Sequence, residues 1–355
     1  MSKLPTTLEL RSAPLLHTPR TVEQIMRHVV YALLPLCAFA VYAFGLSAAV
    51  LILVVTASCL GTEQLFNRLA GRATTLGDYS AVITGLLLAL TLPPGFPLWM
   101  GAVAGFIAIG LGKAVFGGLG CNIFNPALVG RAFVQAAFPV AITTWQAPFL
   151  DGRFSHFLPT TLTLPLMTPP DAPLWYGALP VDAVSGATPL ALHKFERVAT
   201  GTLDLFLGTT SGSLGETSAL LILVCGAYLA ARRLLNWRIP VAVLASAFVV
   251  SGAFFLADSQ RYPDPWFMLG SGGLMLGALF MATDPVGAPV TPRGAWLFGA
   301  LIGVVTIVIR LFGGLPEGVM YAILLGNAAT PLIESITQPR AFGSARPAPP
   351  DKTRP

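Results

Sequence analysis

The chain has 355 residues, 54% of them hydrophobic and only 10% charged, with 21 Lys and Arg against 16 Asp and Glu and a net charge of +5. A soluble domain carries about 25% charged residues, so this chain lacks the polar side chains to cover a water-facing surface of its size, which excludes a soluble enzyme, a nucleic-acid-binding module and a disordered tail. A polytopic membrane protein remains, in which each span satisfies its own backbone hydrogen bonds as a helix or within a closed barrel.

In chain order, a polar segment (1–24) comes first, followed by apolar stretches that are continuous rather than alternating, which predicts helices and not barrel strands. Ten are expected, at 25–45, 46–61, 80–92, 98–116, 123–140, 217–235, 239–257, 266–282, 294–312 and 317–335. The first begins after Arg27-His28 with no small-residue cleavage site, so it stays as a helix. Several fall short of the roughly 20 residues needed to cross about 30 Å of hydrocarbon. These end at Leu92-Pro93-Pro94-Gly95, Asn125-Pro126 or Asp284-Pro285. Such breaks suggest half-helices around a central site, with loop punctuation as the alternative. Gly101, Gly105, Gly110 and Gly112 in the fourth stretch, and Gly270, Gly272, Gly273 and Gly277 in the eighth, let backbones approach closely.

Cys37, Cys59, Cys121 and Cys225 lie in or beside apolar stretches without CxxC spacing, and are expected as buried packing residues, with no disulfide and no protein-only metal site. Neither a P-loop nor a dinucleotide fingerprint is present, since Gly117-Gly118-Leu119-Gly120 follows an apolar span and no strand.

Lys and Arg crowd one side of this arrangement: Lys3, Arg11, Arg20, Arg27, Arg68, Arg72, Lys113, Arg232, Arg233, Arg238, Arg293 and the basic residues of the tail 336–355. The other side keeps Arg153, Lys194, Arg197, Arg261 and Arg310. The positive-inside rule then makes both termini cytoplasmic and the long loop 141–216 periplasmic. The stretches on either side, 25–140 and 217–335, read as two five-helix halves. Ser80–Pro93 can be laid on Gly272–Pro285, Phe-Gly-Gly recurs at 116–118 and 312–314, and Asn125-Pro126 is echoed by Asn327 with Pro331. An odd number of spans per repeat inverts the second copy, which places a site near the midplane where broken helices meet.

Arg131 lies inside the fifth stretch with Gln135 one turn on, on the same face. A charge there costs about 2.5–3.5 kcal/mol on insertion scales, so it is expected either to snorkel to the interface or to face a partner: an acid, with Asp284 and Glu334 the nearest candidates, or a second, non-covalent flavin at the repeat interface. Lys113 is expected to snorkel.

Within the loop stands Asp182-Ala183-Val184-Ser185-Gly186-Ala187-Thr188-Pro189-Leu190. Gly186 frees the backbone to turn and Pro189 pushes Thr188 toward extended geometry, which presents its hydroxyl on an exposed, non-helical segment. His193 follows, either as a solvated loop histidine or in touch with whatever Thr188 carries. A loop threonine is ordinarily inert, and these residues alone assign it no role.

The segment resembles the flavinylation motif Asp-x-x-Ser/Thr-Gly-Ala-Thr of the membrane flavoprotein subunits shared by the bacterial Rnf complex and the sodium-pumping NADH:quinone oxidoreductase. Asp182, Ser185, Gly186, Ala187 and Thr188 all match. Length and the short N-terminal segment fit the D-type branch of Rnf better than the B-type branch, which stays as an alternative. The resemblance implies an all-α, urea-transporter-like fold of about ten helices in two inverted halves, in the bacterial inner membrane. It also implies FMN joined to Thr188 through a phosphoester, installed by a dedicated flavin transferase; the second, non-covalent flavin that Arg131 could face would be one such as riboflavin. The partners it implies are the other Rnf subunits and the lipid bilayer, with no nucleic acid. Its activity would be electron relay between reduced ferredoxin and NAD within an assembly that moves Na+ or H+, with no complete catalytic site on this chain alone. A urea-transporter-like solute channel and a flavin-free scaffold are the competing readings. A simple channel has no reason to carry this motif.

Overall fold

The computed structural model describes residues 21–165, 167, 187–198 and 200–339. Asp182, Ser185 and Gly186, together with both terminal segments, lie outside the described residues. Among the described residues every regular element is helical.

Helix α1 (Val22–Phe44) starts at Thr21, whose hydroxyl accepts from the Gln24 N–H at 3.3 Å, and α2 (Leu46–Leu69) follows after Gly45 alone. Only glycine fits at this corner, because φ is 75° and a Cβ would lie 2.0 Å from the Arg153 carbonyl oxygen. Next come α3 (Ser80–Leu90) and α4 (Leu98–Ile109), which continues through a π-helical turn at Gly110–Ala114. Asn125 caps α5 (Pro126–Ala137) by accepting from the Ala127 N–H at 3.0 Å, with Pro126 at the first helical position, where its missing N–H costs nothing. Short α6 (Pro139–Thr143) closes the first half.

Within 141–216 the chain then forms one helical turn, α7 (Pro189–Ala191), that runs into a π-helical turn at Leu192–Glu196, and then α8 (Thr202–Leu207). It continues through α9 (Ala219–Ala231), α10 (Arg238–Ala257), α11 (Pro265–Gly270) and α12 (Leu274–Leu276), which passes into a π-helical turn at Gly277–Met281. Helices α13 (Pro292–Phe312) and α14 (Val319–Thr337) complete it.

Five helices, α1, α2, α10, α13 and α14, are long and apolar enough to cross a membrane, and α3, α4 with its extension and α9 are shorter apolar helices. Large apolar side chains also cover the outside: Leu53, Val249, Leu256 and Leu332 are all exposed, Leu256 at 87%. A water-soluble fold avoids apolar surface on this scale, whereas hydrocarbon favours it. This is the architecture of a polytopic membrane protein.

All ten expected apolar stretches are helical for at least part of their length, but the eighth is broken at Ser271–Gly273, inside what reads as a continuous run. The break after α3 is no surface loop. Thr91–Pro97 is buried throughout, and Leu92 and Phe96 are fully enclosed. Irregular backbone at this depth needs partners, and it finds them in the returning segment before α9, where the Leu214 and Gly215 N–H groups donate to the carbonyls of Leu92 (3.1 Å) and Leu90 (2.7 Å). The end of the polar loop thus folds back into the core. Close packing between helices runs through glycine, as at Gly303 of α13, where a Cβ would meet the Val243 carbonyl of α10 at 2.4 Å.

Candidate functional site: a threonine turn seated over a buried ionic cluster

Thr188 has φ −64° and ψ 151°, the extended geometry that Pro189 imposes, and its Oγ1 accepts from the Ala191 N–H at 3.2 Å. The expected exposure does not hold: the residue is only 2% exposed. The reason is the turn that follows, which docks onto the second half through three side chains. Leu190 is buried against Gly272, where a Cβ would lie 2.7 Å from its Cδ1. The His193 ring packs on Phe267 with centroids 5.4 Å apart, so it is not a solvated loop histidine, and burial first and Arg197 second push its pKa down. The Lys194 ammonium donates to the carbonyls of Arg310 (2.9 Å), Gly313 and Leu315 (2.9 Å) around the C-terminal end of α13. The Arg310 carbonyl, in the last turn of α13, has no partner within the helix and carries the negative end of its dipole, and those of Gly313 and Leu315 lie just beyond it, so one cation serves all three. Burial lowers the Lys194 pKa.

Beneath Gly272 and Gly273 lies a buried ionic cluster. Nη1 of Arg131 donates to the Thr91 carbonyl at 2.6 Å and to Glu216 Oε1 at 3.3 Å, and its Nη2 donates to Glu317 Oε2 at 2.7 Å. Arg310 donates from Nη1 to the Met268 carbonyl at 2.5 Å and from Nη2 to that of Ser271 at 2.9 Å. Each arginine therefore reaches carbonyls at the C-terminal end of one interrupted helix, Thr91 after α3 and Met268 with Ser271 around the end of α11. Glycine makes room for this: a Cβ on Gly272 would lie 3.1 Å from Arg310 Nη2, and one on Gly273 2.6 Å from Glu216 Oε1. Glu216 Oε2, Glu317 Oε1 and both arginine Nε atoms have no hydrogen-bond partner among the described residues. A small cavity of about 40 Å³, lined by Arg131, Gln135, Trp145, Glu317 and Tyr321, borders the cluster, with Arg131 and Gln135 on one face as their spacing requires.

Several expectations are corrected here. Arg131 does not snorkel, and its partners are Glu216 and Glu317, not Asp284 or Glu334. Asp284 instead accepts from Asn122 (3.4 Å) and the Val286 N–H (3.3 Å), and Glu334 from the Val290 N–H (3.0 Å). Both Nη atoms of Arg131 are engaged by acids, which leaves Nε as its one donor without a partner among the described residues. Arg310, expected among the basic residues outside the membrane, is buried. Lys113 does not snorkel either: at 4% exposure it donates to Glu63 at 2.7 Å and to Ser80 Oγ at 2.6 Å. Cys37, Cys59 and Cys225 are buried, whereas Cys121 is exposed.

Lys113 and Glu63 sit at the other end of α3, beside a cavity of about 110 Å³ that Asn122, Asn125, Thr283 and Asp284 line together with Leu229 and Leu279. Asn125 and Asn327, which the expected repeat would pair by order, are in contact: the Asn125 N–H donates to Asn327 Oδ1 at 3.4 Å, and the Asn125 and Asn327 side chains donate to the carbonyls of Met281 (3.2 Å) and Gly287 (3.0 Å). Among the described residues no three His, Cys, Asp or Glu side chains gather in a way that could hold a metal ion.

The sequence profile described as the NQR2, RnfD, RnfE family matches residues 9–343. The D subunit of the proton-translocating ferredoxin:NAD(+) oxidoreductase complex of Clostridium ljungdahlii is 39% identical over 347 residues, covering 95% of this chain and 96% of its own length. The D subunit of the Na(+)-translocating ferredoxin:NAD(+) oxidoreductase complex of Acetobacterium woodii is 39% identical over 340 residues, 95% of each chain. The D subunit of the ion-translocating oxidoreductase complex of Stutzerimonas stutzeri is 40% identical over 343 residues, 91% of this chain and 92% of its own.

Proposed function

The chain belongs to the NQR2, RnfD, RnfE family, and from that premise we propose that it is the membrane flavoprotein subunit of an ion-translocating ferredoxin:NAD oxidoreductase complex, with FMN esterified to Thr188. The observation that carries the reading is Thr188 itself. It closes a complete Asp182-x-x-Ser185-Gly186-Ala187-Thr188 motif, and its hydroxyl oxygen stands at the head of a turn docked onto an interrupted helix. A phosphoester fits this position chemically, because an ester oxygen still accepts the Ala191 N–H that the hydroxyl accepts now.

FMN would supply one- and two-electron chemistry, and this chain would supply its position and electrostatics. Lys194, His193 and Leu190 would fix the attachment point against α11 and α13. Arg131 and Arg310 would keep the carbonyl ends of the interrupted helices buried without water. A second non-covalent flavin such as riboflavin would have two places to choose from: beside Arg131, where only a small cavity is open, and the roomier cavity bordered by Asn122 and Asn125, which offers amide groups beside apolar walls.

The same reading takes the helices as ten spans in two inverted halves in the bacterial inner membrane, with cytoplasmic termini and the 141–216 loop periplasmic. The paired breaks, the Asn125–Asn327 contact and the matching roles of Arg131 and Arg310 support it. Coupling to Na+ or H+ would belong to the assembly, with the other subunits as electron partners and a flavin transferase for maturation.

The test is direct. Protein purified from its own host, denatured and run on a gel, keeps flavin fluorescence with its band, and Thr188→Ala abolishes it. A dark wild-type band would sink the proposal.

A further inference from the structure

Thr188 combines two properties that conflict. Phosphoryl transfer needs its oxygen in line with the bond that breaks and within about 3.5 Å of phosphorus before reaction, yet the residue is 2% exposed and its oxygen is engaged with the Ala191 N–H. An enzyme cannot bring a dinucleotide to a hydroxyl held in that way. The burial does not arise from the threonine itself, a small polar residue with a single local hydrogen bond. It follows from Leu190, His193 and Lys194, which press the turn onto Gly272, Phe267 and the end of α13. Of the three, Lys194 makes the most directional contact, three charge-assisted hydrogen bonds to otherwise free carbonyls. The turn ends at Arg197, whose φ of 55° is left-handed and strained for a residue with a side chain.

We propose that residues 187–197 are a latch: Thr188 becomes a substrate for flavin attachment only when Lys194 has left the carbonyls of Arg310, Gly313 and Leu315 and the turn has lifted off the Gly272–Gly273 break. Lys194 is then a positioning residue, which acts on Thr188 through the turn between them. This rests on the reading of Thr188 as the attachment site. In the step itself the Thr188 Oγ–P bond forms, the P–O bond between the two halves of flavin–adenine dinucleotide breaks, adenosine monophosphate leaves, and the hydroxyl proton passes to a base of the transferase.

The experiment uses the full chain made in a host without transferase, then mixed with purified transferase and flavin–adenine dinucleotide and followed by in-gel fluorescence. Lys194→Gln labels several-fold faster than wild type, and Lys194→Arg, which keeps a cation at the carbonyls, labels at the wild-type rate. For a test independent of how Lys194→Gln folds, Lys194→Cys and Leu315→Cys are combined in a Cys121→Ser background and bridged with a short bis-methanethiosulfonate reagent. The bridged protein labels at least ten-fold slower than the same sample after dithiothreitol. Equal rates with and without the bridge, or a Lys194→Gln rate equal to wild type, overturn the latch alone. A released sample that does not label, or label that persists in Thr188→Ala, overturns the assignment of Thr188 and the latch with it.

Discussion

Helix α3 carries a buried ionic group at each end, and the two are built differently. At its start, Lys113 and Glu63 form a one-to-one pair at 2.7 Å, joined by hydroxyls of Ser80 and Thr75, and every member comes from the first half of the chain. At its end, Arg131 of the first half meets Glu216 of the returning segment and Glu317 of the second half, with Arg310 alongside. The first is a local staple between α2 and the extension of α4. The second joins three parts of the chain that are far apart in sequence, and where the first leaves one carboxylate oxygen without a partner, Glu63 Oε2, the second leaves two, Glu216 Oε2 and Glu317 Oε1. Removing one member of a buried pair costs about 3–5 kcal/mol because the other charge is stranded, whereas exchanging both for apolar residues of similar volume is often neutral. The comparison therefore predicts damage from single substitutions at both clusters, greater where one arginine serves two acids, and unequal rescue.

Arg131→Met should give the largest effect. It strands two carboxylates and frees the Thr91 carbonyl, so the loss in thermal stability should reach or exceed the upper part of that range of about 3–5 kcal/mol. Adding Glu317→Gln should recover only part of it, because Glu216 stays unpaired. Lys113→Met should cost about 3 kcal/mol, and Lys113→Met with Glu63→Leu should return the melting temperature nearly to wild type. Full rescue of both clusters by double substitution would erase the distinction drawn between them.

Gly272→Ala should cost less, about 1–3 kcal/mol, from a side chain at φ 63° and from contacts with Leu190 and Arg310. Its distinguishing sign is faster tryptic cleavage after Lys194 and Arg197 at unchanged melting of the remaining helices. The smallest effect is a pH dependence of the docked turn. The His193 pKa is lowered from its ordinary value of 6.5 by burial and by Arg197, so the docked turn binds fewer protons than the free one. Docking is then strongest above the ordinary histidine range and weakens as pH falls through it. Tryptic cleavage should be faster at pH 5.5 than at pH 8 after correction for trypsin's own profile, and His193→Phe should flatten the difference.

Local features were legible in the sequence because they depend on neighbours in the chain. The apolar runs, the breaks at Leu92–Gly95, Asn125-Pro126 and Asp284-Pro285, and the extended Thr188 all follow from residue types at short spacing. The partners of the buried charges were not, because they depend on which segments return to the core. Glu216 meets Arg131 only since Leu214 and Gly215 bond back to Leu92 and Leu90, and nothing within the loop's composition signals that return. Glu317 and Arg310 sit at the edges of apolar runs, where a charge reads as interfacial. The break at Ser271–Gly273 is hidden for a similar reason: glycines in an apolar run suggest helix packing, and here they serve a turn between Leu190 and the ionic cluster instead. The burial of Thr188 was invisible because Leu190, His193 and Lys194 look like ordinary loop residues until their contacts are known.

Arg310 faces two ways: its carbonyl receives Lys194 while its guanidinium holds the carbonyls of Met268 and Ser271. Helix α13 lies closest to α10 at Gly299 and Gly303, and Arg310 lies seven residues beyond Gly303, about 10 Å along the axis. A tilt of only about 10° about that contact would carry Arg310 through roughly 2 Å, beyond the tolerance of a hydrogen bond. The anchor turn and the interrupted helix thus hang from one lever, and neither can be released by tilting α13 without disturbing the other.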